Sequence, residues 1–189
     1  MKRLILCWFL FAGSITAQTL MDNTKLTELY TVDQSAREAK NIDWSRLSAE
    51  DEQRRSEVRR MLDTGEVRTG ADYLHAAMVY QHGQSPDDYL LAHVLAMDAI
   101  SLGNKDARWL AAATLDRYLR SIWQPQIYGT QFASPAGQPV TQHQTMHPSM
   151  VSDSMRAAVC VAPLAEQQKI LEDVRKGGKF RSTRIENCK

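Results

Sequence analysis

Residues 85–103 read SPDDYLLAHVLAMDAISLG, and the fold is decided by how this stretch is read. The Ser85 hydroxyl suits a helix cap, Pro86 has the φ that opens a helix, and Asp87 and Asp88 sit where the helix dipole favours negative charge. The pattern predicts a helix to Leu102, stopped by Gly103. Its body, from Tyr89 to Leu102, is apolar nearly all round, so neighbours are expected to cover it on several sides. Before it, Asp72 to His82 reads as a helix ended by Gly83. After it, Asn104 caps a third helix running to about Ser121. The connections are short, which implies antiparallel hairpins.

Working outward, Asn23 to Lys40 has apolar residues at three- and four-residue steps and reads as a helix, broken at Ile42-Asp43-Trp44. Ser48 is expected to cap the next, with Asp51 resembling a capping box and Gly65 at its end. Its charge suggests a peripheral position. A short helix is expected from Ser152 to Val159, and Pro163 opens a last one ending near Lys176-Gly177-Gly178. The fold class expected is all-α: an irregular helical-hairpin bundle of six or seven helices carrying one long packed loop. The small residues and Gly-Asn turns resemble tetratricopeptide-type helix pairs, with too little repetition for a solenoid.

The loop is residues 121–152. It contains no Asp, Glu, Lys or Arg in a chain that is 24% charged. Long unstructured connections are usually functional or disordered, and Trp123, Tyr128 and Phe132 favour packing of at least the first half on the helices.

The N-terminus sets the expected compartment. Lys2 and Arg3 precede the apolar run Leu4 to Ala12, and small Ala17 stands before a candidate cut. That is the pattern of a secretory signal peptide over residues 1–17, with an uncleaved anchor as the alternative. Residues 18–189 then form a single helical domain with no transmembrane helix, in the periplasm or outside the cell. Without Lys2 and Arg3, 21 of the 23 basic residues remain against 22 acidic ones. A net charge near zero offers no field for nucleic acid. Cys160 and Cys188 remain as an even pair in an oxidising compartment, either bridged or as free thiols. The bridge is the expectation, tying down the tail 177–189.

The segment Gln124-Pro125-Gln126-Ile127-Tyr128-Gly129-Thr130-Gln131 carries a resemblance. With Asp33-Gln34 and Arg37, Gln81-His82 at a helix end, Asp116-Arg117, and Asp153 with Arg156, it is similar to an uncharacterised bacterial helical family, a domain of unknown function with a Tyr-Gly-Thr-Gln signature. The similarity spans roughly residues 33–164 and departs from the family pattern between Arg37 and Asp72 and in the polar tail. It implies a fold and a site location, with no activity attached.

Read physically, Gly129 permits a tight turn, Tyr128 offers a flat face with a hydroxyl, and Thr130 and Gln131 offer neutral donors and acceptors. Gln126, Tyr128, Gly129, Thr130, Gln131 and Arg156 are therefore candidate ligand contacts for an uncharged polar ligand or a protein partner. The bland alternative has Tyr128 filling the core and Gln131 satisfying backbone groups. His82 with Asp116 and Arg117 forms a candidate catalytic set, an Asp holding a His as base, which would suit an envelope hydrolase. A structural envelope scaffold is the third reading. His75, His82 and His93, or His143 and His147, hint only weakly at zinc, so no metal or other cofactor is expected. Asp98 is expected to need Arg108 or Arg117.

Overall fold

The computed structural model describes residues 20–133, 141–142, 145–186 and 188. The signal-peptide reading and His143 lie outside them. Seven helices are present among the described residues: α1 (Thr24–Ser35), α2 (Trp44–Asp63), α3 (Gly70–Tyr80), α4 (Pro86–Ser101), α5 (Ala107–Ser121), α6 (Asp153–Ala158) and α7 (Leu164–Arg175). The class is all-α. Phe132–Ala133 and Thr141–Gln142 add a minimal antiparallel ribbon, β1 and β2, inside the long loop. Among the described residues no helix is long and apolar enough to cross a membrane.

Local chemistry sets the hairpin ends. Ser85 and Asp88 form a reciprocal capping box at the start of α4, and Thr69 and Asp72 form another at α3. Fully buried Asp72 also accepts from the Asn23 amide at 2.7 Å, tying α1 to the head of α3. Gly103, at φ +88°, ends α4, with the Asn104 amide reaching back to the Ala99 carbonyl. The end of α5 has the same geometry without a glycine. Trp123 adopts φ +61° while the Gln124 amide donates to the Leu119 carbonyl at 2.8 Å.

The middle helix packs against both neighbours through Ala92, Leu95, Ala96 and Ala99, an i, i+3, i+4, i+7 stripe. Ala92, Leu95 and Ala96 join Val79 of α3 and Leu110 of α5 in one core, which α1 and α2 extend with Leu26, Val58 and Met61. The opposite stripe, Leu90, Val94 and Met97, stays exposed, so α4 is covered on fewer sides than its composition suggests. Trp123 also departs from expectation: the αL turn after α5 swings it outward, and it is 87% exposed.

Helix α2 begins earlier than Ser48. The Asp43 carboxylate accepts from the Ser45 and Arg46 amides, so the apparent breaker is the cap. The helix is not peripheral either, because Leu47, Val58 and Met61 enter the core and Asp51 and Arg54 are buried with it. Asp98 forms no ion pair with Arg108 or Arg117; half-buried, it needs none.

Cys160 and Cys188 are bridged, their Cα atoms 5.6 Å apart. The tail is stitched down beside that bridge. The Ala162 amide donates to the Thr183 carbonyl and the Ile185 amide to the Cys160 carbonyl, both at 2.8 Å. Phe180 meets Phe132 edge to face, with centroids 4.9 Å apart, so the tail also braces the loop.

Candidate functional site

Asp116 faces inward from α5 and organises the turn that follows it. One carboxylate oxygen accepts from the Ile127 and Tyr128 amides at 2.8 and 3.0 Å. The other accepts from the Thr130 amide at 2.9 Å and the Thr130 hydroxyl at 2.8 Å. The turn's carbonyls go to a cation. Arg156, 1% exposed, reaches the Ile127, Pro148 and Val151 carbonyls at 3.2, 3.0 and 2.7 Å and the Tyr128 carbonyl at 3.4 Å. Gln167 adds a bond to the Tyr128 carbonyl at 2.9 Å. Buried backbone groups must find partners, and a segment without charges of its own finds them on the helices. Gly129 sits at the apex with φ +82°.

Three of the proposed ligand contacts, Gln126, Thr130 and Arg156, are spent inside this scaffold. The Gln126 side chain clasps the Gln131 backbone, accepting from its amide at 3.0 Å and donating to its carbonyl at 3.1 Å. Thr130 is held by Asp116. Gln131 is also buried, its Nε2 donating to the Ala113 carbonyl at 3.0 Å while its Oε1 accepts from Arg117 Nε at 3.1 Å. Tyr128 is half-buried, and burial, helped by the charge of Asp116, pushes its phenol up.

The His82–Asp116 pair does not form. The acceptor sites of Asp116 are taken by the turn, and His82 Nδ1 lies 2.9 Å from Asp33 Oδ2 on α1. Asp33 is fully buried and also meets Arg37 at 3.0 Å, which continues to Asp51 at 2.7 Å. Arg54 Nη2 closes the set on Asp51 at 2.6 Å. Burial pushes the Asp51 carboxyl up, but hydrogen bonds and charge from Arg37 and Arg54 outweigh it and hold it below the ordinary value.

Arg117 joins the two regions. Its Nη1 donates to the Gln81 carbonyl at 2.5 Å, next to His82, and its Nε donates to Gln131. The motif pieces Asp33, Arg37, Gln81-His82, Asp116-Arg117, Tyr-Gly-Thr-Gln and Arg156 thus form one continuous polar network, although they come from four helices and a loop. No family model, curated protein or solved structure matches this chain.

Beside the turn lies a cleft of about 360 Å³ lined by Gln84, Tyr89, Arg117, Arg120, Gln131 and Phe132. Tyr89, Arg120 and Gln84 are not singled out by the sequence. The one available signal is the three-residue spacing of Arg117 and Arg120, which places both on one helix face. The histidines lead separate lives. His75 stacks on Tyr30 with centroids 4.4 Å apart, and His93 Nδ1 lies 2.9 Å from the Ala111 carbonyl. Among the described residues no group of three or more His, Cys, Asp or Glu is placed to hold a metal.

Proposed function

We propose that this chain is an exported helical binding module whose site is the cleft beside the Tyr-Gly-Thr-Gln turn. The supporting observation is that the turn is held from both sides, by Asp116 on its amides and by Arg156 and Gln167 on its carbonyls. Such rigid placement presents Gln131 and Phe132 to the cleft alongside Tyr89 and Arg117. Pre-formed clefts of a few hundred Å³ are the usual size of a small-ligand site, and this one has a mostly polar lining around two aromatic rings. Export is supported by the basic-then-apolar start and by the disulfide, which persists in oxidising compartments.

A hydrolase reading draws on His82, now with Asp33 as its orienting acid. It has less support, since among the described residues His82 makes no hydrogen bond to a serine, threonine or cysteine. The binding reading is tested by NMR-detected screening of small amides, sugars and carboxylic acids against the full mature chain. Binders should shift the Tyr89, Phe132 and Gln131 resonances and lose affinity in Tyr89→Ala. Hits that map only to other surfaces would remove the cleft from consideration.

A further inference from the structure

We infer that the cleft takes its ligand by a carboxylate, received by Arg117 with Arg120 while Tyr89 and Phe132 wall the organic part. This inference rests on the binding-module reading. Its basis is a charge left over. All 22 acidic side chains of the chain lie among the described residues, and none is within 4 Å of the Arg117 guanidinium. The long loop cannot supply one, because residues 121–152 contain no acid. Three other inward-facing arginines are neutralised by acids: Arg37 meets Asp33 and Asp51, Arg54 meets Asp51, and Arg156 meets Asp153 at 3.2 Å.

Arg117 has only neutral acceptors, the Gln81 carbonyl and Gln131 Oε1, on Nη1 and Nε. Its Nη2 carries no hydrogen bond among the described residues, and the side chain borders the cleft. The Tyr89 ring lies 5.9 Å from the guanidinium carbon, a weak compensation. Nearby Arg120 and Arg37 add like charge, and burial drives the guanidinium below its ordinary value. A partly desolvated cation without a counter-ion costs free energy that an incoming anion recovers. Guanidinium is weakly hydrated and pairs well with a carboxylate, so the site is built to accept one. A phosphate fits less well: of the two lining arginines only Arg120 is exposed, there is no lysine, and the rest are the Ser121 hydroxyl, amides and aromatic rings.

The test is an NMR titration of the full mature chain with benzoate, benzamide and inorganic phosphate, read at Arg117 Nε–H, Tyr89 and Phe132. Benzoate should bind about tenfold more tightly than its neutral isostere, the worth of one charge-assisted hydrogen bond. Arg120→Gln, on an exposed side chain that leaves the fold intact, should weaken benzoate severalfold and leave benzamide unchanged. Benzamide binding in the cleft as tightly as benzoate would overturn the carboxylate while leaving the binding module standing. Phosphate displacing benzoate at lower concentration would likewise overturn it. If no probe moves the cleft resonances, the inference and the binding module fall together.

Discussion

Replacing Asp116 by alanine is the perturbation that reaches furthest into the loop. Its carboxylate is 0% exposed and accepts four hydrogen bonds, from the Ile127, Tyr128 and Thr130 amides and the Thr130 hydroxyl. A buried donor left without its acceptor costs about 1–3 kcal/mol. The Thr130 donors are buried and suffer fully, whereas the Ile127 and Tyr128 amides are only partly buried and can recover water. The total loss should be about 4 kcal/mol, a large share of the ~5–15 kcal/mol of a typical domain. Asp116→Asn keeps one oxygen on Ile127 and Tyr128 but turns an NH2 toward the Thr130 amide, so roughly half of that loss should remain. Thr130→Val removes only the hydroxyl bond and should cost about 1–2 kcal/mol. Urea unfolding followed by circular dichroism gives the totals. Hydrogen exchange at residues 127, 128 and 130 separates loop undocking from global unfolding. If Asp116→Ala stayed within about 1 kcal/mol of wild type, with those three amides still protected, the anchoring argument would be wrong.

Four further outcomes can be measured. The Asp51 carboxyl is held below its ordinary value by Arg37 and Arg54, so its contribution is present at neutral pH. It should disappear as pH falls below the ordinary 3.8 and through the folded value, so the melting-temperature gap between wild type and Asp51→Asn should close on acidification. Burial lowers the His75 imidazole from 6.5, so stability should fall as pH drops below that value. His75→Phe, which keeps the stack on Tyr30, should flatten this dependence; an unchanged slope would assign it elsewhere. Cys188→Ser opens a loop spanning 28 positions and should cost ~3–4 kcal/mol on the chain-entropy model. Exchange should then quicken at Thr183 and Ile185, whereas wild-type stability would mean that the tail holds without its bridge. Trp123→Gly relieves a left-handed backbone at an exposed side chain and should stabilise by ~1 kcal/mol in thermal unfolding, with a loss there counting against strain.

The hairpin core was legible because its signals are local. The Ser85 and Asp88 box, Pro86 and Gly103 each act within one turn of the residues they control, and α4 begins and ends where they stand. The start of α2 is not legible for a related reason. Both Asp43 and Ser48 fit a cap, and choosing between them depends on whether Trp44 to Leu47 is needed to carry Leu47 into the core. What could not be read was the partner of any buried charge. Asp116 precedes Arg117 directly, yet one serves the turn and the other bridges to Gln81, because neighbouring helix positions point about 100° apart. The true acid of His82, Asp33, is hidden in the sequence because nothing in the spacing shows that α1 crosses beside the end of α3.

The division of labour around the Tyr-Gly-Thr-Gln turn also explains how a charge-free turn packs on the helices. A segment with no Asp, Glu, Lys or Arg has no charged side chains of its own to serve its buried backbone, and water is excluded once it packs. Here one helix-borne anion collects amides of the turn and one helix-borne cation collects its carbonyls. With the backbone served in this way, the side chains of Gln126 and Gln131 are free to lock the loop to itself and to α5. The arrangement consumes Asp116 and Arg156 completely, while Arg117, the next residue on α5, meets no acid among the described residues. That imbalance, more than the neutral character of the loop, argues for what the cleft binds.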